Sequence, residues 1–119
     1  MEQSFEFSFQ RFDVYRVARE ALQILVREKS SFKGLVNDLG PQMQSAMLSV
    51  VVNIAEGAGR VTAADQRRHY AIALGSCKEV AACVDIASVL GVDEKITREV
   101  MSRLARVAQM LLKLTARGR

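Results

Sequence analysis

Three polar residues stand at the end of an otherwise apolar run in "VVNIAEGAGR", residues 51–60: Asn53, Glu56 and Arg60. Their i, i+3, i+7 spacing puts all three on one side of a helix. A carboxylate there, beside two glycines and an arginine, admits three chemistries: a general acid or base, an anion site, or a structural joint. A Glu next to an apolar core is costly unless paired, and Arg60, Arg67 and Arg68 are its candidate partners. Asn53 can bridge through both ends of its amide. Gly57 or Gly59 can take a positive φ and turn the chain out of the helix. In the structural reading, Asn53, Glu56, Gly57, Gly59 and Arg60 form a clasp that ties this helix to the start of the next. In the functional reading, Arg60, Arg67, Arg68 and His69 make a phosphate-binding corner. Arg67 and Arg68 fall in early helical turns, where the helix dipole disfavours cations.

Catalysis finds few partners. The chain has a single histidine, His69, more simply read as a surface or packed residue than a base. No Ser/His/Asp or Cys/His order can be assembled, and neither a P-loop nor a GxGxxG is present. A di-iron bundle needs Glu-x-x-His pairs, and no Glu stands three residues before His69. The Arg–His spacing of some helical RNases also fails, the preceding arginines being Arg60, Arg67 and Arg68. Cys77 and Cys83 point to different sides of a helix and cannot pair with each other. They read as small buried thiols in a reducing compartment. No metal, cofactor or enzymatic activity is expected.

The elements that carry these residues are all helical. The chain of 119 residues suits one domain over 1–119, half its residues are apolar, and its scarce aromatics and abundant Ala, Val, Leu and Met favour helix over sheet. Hydrophobic periodicity predicts helices over roughly 9–31, 41–58, 63–90 and 93–116. The first has two stripes, one through Phe12, Tyr15, Leu22, Leu25 and Val26, the other through Val14, Val17, Ala21 and Ile24. Ser8 or a neighbour caps it, Arg16 is placed to pair with Glu20, and Gly34 is a candidate C′ residue. Pro41 suits the first turn of the second helix, which reads as apolar, and therefore buried, on every side. Thr62 with Asp65 resembles a capping box for the third, where Gly75, Ser76, Ala81 and Ala82 permit a close helix approach. Gly91 ends it, and Asp93 caps the fourth. Short connections favour an all-α, antiparallel up-down-up-down four-helix bundle, with short flexible ends at 1–8 and 115–119. The apolar faces are wider than one bundle needs, so a homo-oligomer is expected. No signal peptide or membrane span is legible, and a cytoplasmic location is expected.

Charge is segregated. Residues 1–92 hold ten basic and ten acidic side chains, whereas residues 93–119 hold seven basic (Lys95, Arg98, Arg103, Arg106, Lys113, Arg117, Arg119) and three acidic. A basic end attracts phosphates.

"SVVVNIAEGAGR", followed by "HYAIALGSCKEV" and "ASVLG", resembles the small four-helix-bundle proteins encoded within intervening sequences of bacterial 23S ribosomal RNA genes. The accessory proteins of diversity-generating retroelements are similar. The resemblance runs from "FDVYRVAREAL" (Phe12 to Leu22) to Leu90. It implies a compact antiparallel bundle assembled as a ring-like homopentamer, with no catalytic residues. For the retroelement members it implies a basic surface that binds RNA and a reverse transcriptase. The family's basic Gln-x-Arg-Arg-Ala run is here "QMQSA", with Gln44 and Ser45, so part of a typical basic surface is missing. The expected function is nucleic-acid binding, RNA favoured over DNA, through Arg60, Arg67, Arg68, Arg98, Arg103, Arg106 and Lys113. Contacts would be made to phosphates, since scarce exposed aromatics argue against base stacking. The alternative is a protein-interaction scaffold or accessory subunit, for example of a reverse transcriptase, without nucleic acid.

Overall fold

The computed structural model describes residues 5–117. Among them are four α-helices and no strand: α1 (Asp13–Arg27), α2 (Leu39–Ala58), α3 (Ala63–Val89) and α4 (Glu94–Arg117), with 3-10 turns at Ser8–Arg11, Lys29–Phe32 and Val36–Asp38.

α1 is shorter than the expected 9–31. The extended backbone of Phe12 (φ −78°, ψ 121°) separates it from the preceding 3-10 turn, and no side chain caps it. After Arg27 the chain tightens into the Lys29–Phe32 turn, which drives Phe32 into the core. Gly34 does take a left-handed conformation (φ 76°), but well past the helix end. The stripe through Val14, Val17, Ala21 and Ile24 is the buried one, while Val26 is exposed.

α2 begins at Leu39, two residues before the expected start, with Pro41 in its first turn. The reversal into it uses two consecutive left-handed residues, Asn37 (φ 54°) and Asp38 (φ 56°). Asn and Asp tolerate that region better than other non-glycine residues. α2 is not buried all round: Met43, Met47, Val50 and Ile54 are fully buried, whereas Leu48 and Val52 are 53% and 51% exposed. The Asp65 N–H donates to Thr62 Oγ1 at 3.1 Å, so α3 starts where the capping pattern places it. α3 ends at Val89, where Gly91 at φ 102° lets the Val92 N–H reach Ala87 O at 3.0 Å. This is the Schellman closure. The Lys95 N–H donates to Asp93 Oδ1 at 2.9 Å and starts α4. Thr115–Arg117, expected as tail, continue α4. The remaining parts of the expected flexible ends, 1–4 and 118–119, lie outside the described residues.

Each helix packs on two neighbours, in the cyclic order α1, α2, α3, α4 and back to α1. α2 and α3 run antiparallel, with Gln42 meeting Glu79, Ser49 meeting Ser76 and Asn53 meeting His69. α1 and α4 are also antiparallel: Arg27 bonds Glu99 at 2.8 Å and Arg103 bonds Glu20 at 3.3 Å. Glu20 therefore pairs with Arg103 of α4 instead of Arg16 of its own helix. One continuous core, including Leu25, Met47, Ile54, Val84, Leu104 and Leu111, draws on all four helices. No helix among the described residues is long and apolar enough to cross a membrane.

Two glycines within helices have opposite surroundings. A Cβ on Gly57 would lie 2.6 Å from Tyr70 Cε1, whereas one on Gly75 would meet nothing within 4 Å. Gly57→Ala is expected to lower stability by about 1–3 kcal/mol through overpacking, despite its gain in helix propensity. Gly75→Ala is expected to raise stability by up to about 1 kcal/mol. Urea unfolding of both variants checks the contrast; equal shifts contradict it.

Candidate functional site

The corner between α2 and α3 is organised around His69, which is 5% exposed. Asn53 Nδ2 donates to Ser49 O at 2.9 Å and to Ser49 Oγ at 3.2 Å. Its Oδ1 therefore faces His69 Nδ1, at 3.0 Å, and must accept from it. That leaves Nε2 as the acceptor for Arg68 Nη2 at 3.2 Å. Both ring nitrogens are satisfied, and the tautomer follows from the network. Ser49 Oγ continues the polar line to Ser76 Oγ at 2.8 Å.

Glu56 is placed differently from expectation. Its side chain is 48% exposed, 3.6 Å from Arg60 and 3.9 Å from His69 Nδ1, so it is no buried charge in need of rescue. Arg60 also approaches Asp65 at 3.7 Å, and Asp65 meets Arg68 at 3.4 Å. Gly57 is not a left-handed exit: it lies inside α2, buried beneath the Tyr70 ring. Gly59 closes α2 at φ −93°, a conformation open to any residue. Asn53 and Glu56 lie on one side of α2, whereas Arg60 falls beyond the helix end and reaches Glu56 from the connection; Arg68 comes from α3 to His69. Arg67 points to solvent, with no carboxylate within ion-pair distance among the described residues. The corner thus holds two arginines already facing two carboxylates.

The cations of α4 form a different surface. Lys95, Arg98, Arg106 and Lys113 are all exposed and, with Ser102 and Gln109, lie along one side of the helix. At 100° per residue this stripe is centred about 180° from the buried face. That buried face is Val100, Leu104, Val107 and Leu111. From Lys95 to Lys113 it spans about 27 Å at 1.5 Å per residue. Arg98 reaches only Glu94, both heavily exposed. Such a pair holds its partners weakly. Arg103 stands apart, half-buried and bonded to Glu20.

A family model for 23S rRNA-intervening sequence protein matches residues 10–113. The chain belongs to that family. A comparison with curated proteins finds no match. The matched segment of the intervening-sequence protein takes in the whole α2–α3 corner and the α4 stripe as far as Lys113.

Sequence reasoning placed His69 in a cation corner and missed its role as the centre of the polar seam. Its place on α3 opposite Asn53 depends on how two helices pair, which no local pattern carries. Among the described residues, no three His, Cys, Asp or Glu side chains lie close enough to hold a metal ion. Cys77 is buried with Sγ donating to Leu104 O at 3.4 Å, and burial pushes its thiol from 9.0 up to about 11. Burial first, then the charge of Glu79, raises Cys83 as well. Both shifts favour the thiol over the more nucleophilic thiolate. An open groove of about 730 Å³ lies by the α1–α2 connection near Phe32, Lys33 and Pro41, away from the corner.

The geometry gives two expectations. Asn53→Ala strands the buried His69 N–H and is expected to cost about 1–3 kcal/mol. Glu56→Ala removes only long, exposed ion contacts and is expected to cost less than about 1 kcal/mol. Chemical denaturation in which Glu56→Ala costs more than Asn53→Ala contradicts the placement of the joint. The second concerns Cys77. Between pH 9 and about 11 the unfolded chain releases this thiol proton while the folded chain keeps it. Stability therefore falls as pH rises through that window, and Cys77→Ala is expected to flatten the slope in pH-resolved melting. An unchanged slope contradicts the burial argument.

Proposed function

We propose that this intervening-sequence protein is a non-catalytic, homo-oligomeric four-helix bundle that binds structured RNA through the exposed cations of α4. The four helices are read as an up-down-up-down antiparallel bundle, in keeping with their cyclic contacts and the antiparallel α2–α3 and α1–α4 pairs. The observation that carries the RNA reading is the α4 stripe: Lys95, Arg98, Arg106 and Lys113 in line, exposed, and opposite the buried face. α4 is packed on α1 and α3, so only this stripe is free, and it lies along a phosphate backbone rather than entering a groove. Binding is then phosphate-dominated and largely indifferent to base sequence. Arg60 and Arg68, already facing carboxylates, contribute less. Family membership favours RNA over DNA. A filter-binding titration with an RNA hairpin at two salt concentrations tests this: affinity should fall steeply with salt, and absence of binding at low salt overturns it.

Leu48 and Val52, one turn apart on α2, are the apolar surface that supports self-association, with a pentamer as the form the family resemblance favours. Leu48→Glu with Val52→Glu is expected to lower the mass seen by light scattering while leaving helicity intact. An unchanged oligomer mass rejects that face. A reverse transcriptase or other protein partner is the competing use of the same surfaces, and a complex that survives nuclease treatment would favour it.

A further inference from the structure

The N-terminal arm collects aromatic rings that the rest of the surface lacks. Three of the chain's five phenylalanines lie within residues 5–9. Phe5 is 80% exposed and Phe7 57% exposed. The Phe5 and Phe7 rings meet edge to face at 4.8 Å, Phe7 lies near-parallel to Phe9 at 5.8 Å, and Phe9 rests against Tyr15 of α1 at 4.9 Å. Apolar rings this exposed ordinarily collapse onto a core or serve as a contact. Here polar ties hold them out. The Phe7 N–H donates to Gln10 Oε1 at 2.7 Å, the Gln10 N–H donates to Phe7 O at 3.0 Å, and Glu6 pairs with Arg11 at 3.4 Å. The rings border an open groove of about 610 Å³ that is also lined by Arg16 and Arg19. Both arginines are exposed and have no carboxylate within ion-pair distance among the described residues, Glu20 being engaged by Arg103.

Ring faces beside two available guanidinium groups match one ligand chemistry: a flat base attached to a phosphate. We infer that this groove binds unpaired nucleotides of single-stranded nucleic acid, with bases stacking on Phe5 and Phe7 and flanking phosphates meeting Arg16 and Arg19. This rests on the RNA-binding reading and adds a second, chemically different contact to it. α4 holds backbone; the arm holds exposed bases, so a hairpin with a loop engages both while a blunt duplex engages only α4. Aromatics that are scarce overall are concentrated at one cationic groove. Stacking of this kind tolerates any base.

The test uses the full-length protein with three probes: a short 2-aminopurine-labelled RNA strand, the matching DNA strand, and a blunt RNA duplex. Phe5→Ala with Phe7→Ala should weaken single-strand binding by at least ~10-fold and abolish 2-aminopurine quenching, leaving duplex binding unchanged. Phe7→Trp in the intact background should preserve quenching. Arg16→Gln with Arg19→Gln should reduce the salt dependence of single-strand binding by about one to two contacts. Preference between the RNA and DNA strands assigns the source of the nucleotide. Unchanged single-strand affinity in the double Phe variant overturns the inference. So does a fall in oligomer mass in that variant, which would make the rings a contact between copies. If the parent protein binds duplex but neither strand, the groove assignment fails alone; if it binds no probe at low salt, the RNA reading fails with it.

Discussion

The register of α2 on α3 is marked by a few polar contacts in a largely apolar interface, and the one that reaches a buried group is the hydrogen bond between Asn53 and His69. Hydrophobic burial is non-directional and by itself fixes the register of two helices only loosely. A buried imidazole with one satisfied arrangement does not tolerate a slip in register, since moving it leaves donor and acceptor without water or partner. Asn53 suits the task because its Nδ2 is already committed to Ser49, which leaves Oδ1 as the one group facing α3. The neighbouring features follow in phase. Tyr70, next to His69, falls over Gly57, where only a residue without a side chain leaves room. Thr62 then stands where the short connection can cap α3, and Ser76 comes level with Ser49.

The parts legible in the sequence were those written locally. Helix existence, the Thr62 cap, the Asp93 cap and the Gly91 closure each depend on residues within a turn or two of one another. The departures have a common cause in tertiary context. Residues 28–32 have adequate helical character, yet burying Phe32 requires the tighter turn. α2 carries apolar residues all round, but one chain has only enough neighbours for part of that circumference, so Leu48 and Val52 remain outside. Gly57 and Gly59 look like turn residues in sequence; what Gly57 supplies is absence of bulk against the Tyr70 ring, which comes from another helix and so is not written in the local sequence.

The candidate site was half legible for the same reason. Counting charges located the basic excess in the last segment but not which cations are available. That depends on carboxylates distant in sequence: Glu99 takes Arg27, and Glu20 takes Arg103 and so releases Arg16. Pairing across α1 and α4 engages some cations and leaves others exposed, among them the α4 stripe and the α1 arginines beside the aromatic arm. Both sets sit on faces that the α2–α3 contact does not bury.

The claim on which this account rests is that Asn53 and His69 act as one unit. A double-mutant cycle of Asn53→Ala and His69→Phe, read by urea unfolding, measures it directly. The account predicts a coupling of at least about 1 kcal/mol, because losing either partner already breaks the joint. Additivity within about 0.3–0.5 kcal/mol would contradict it.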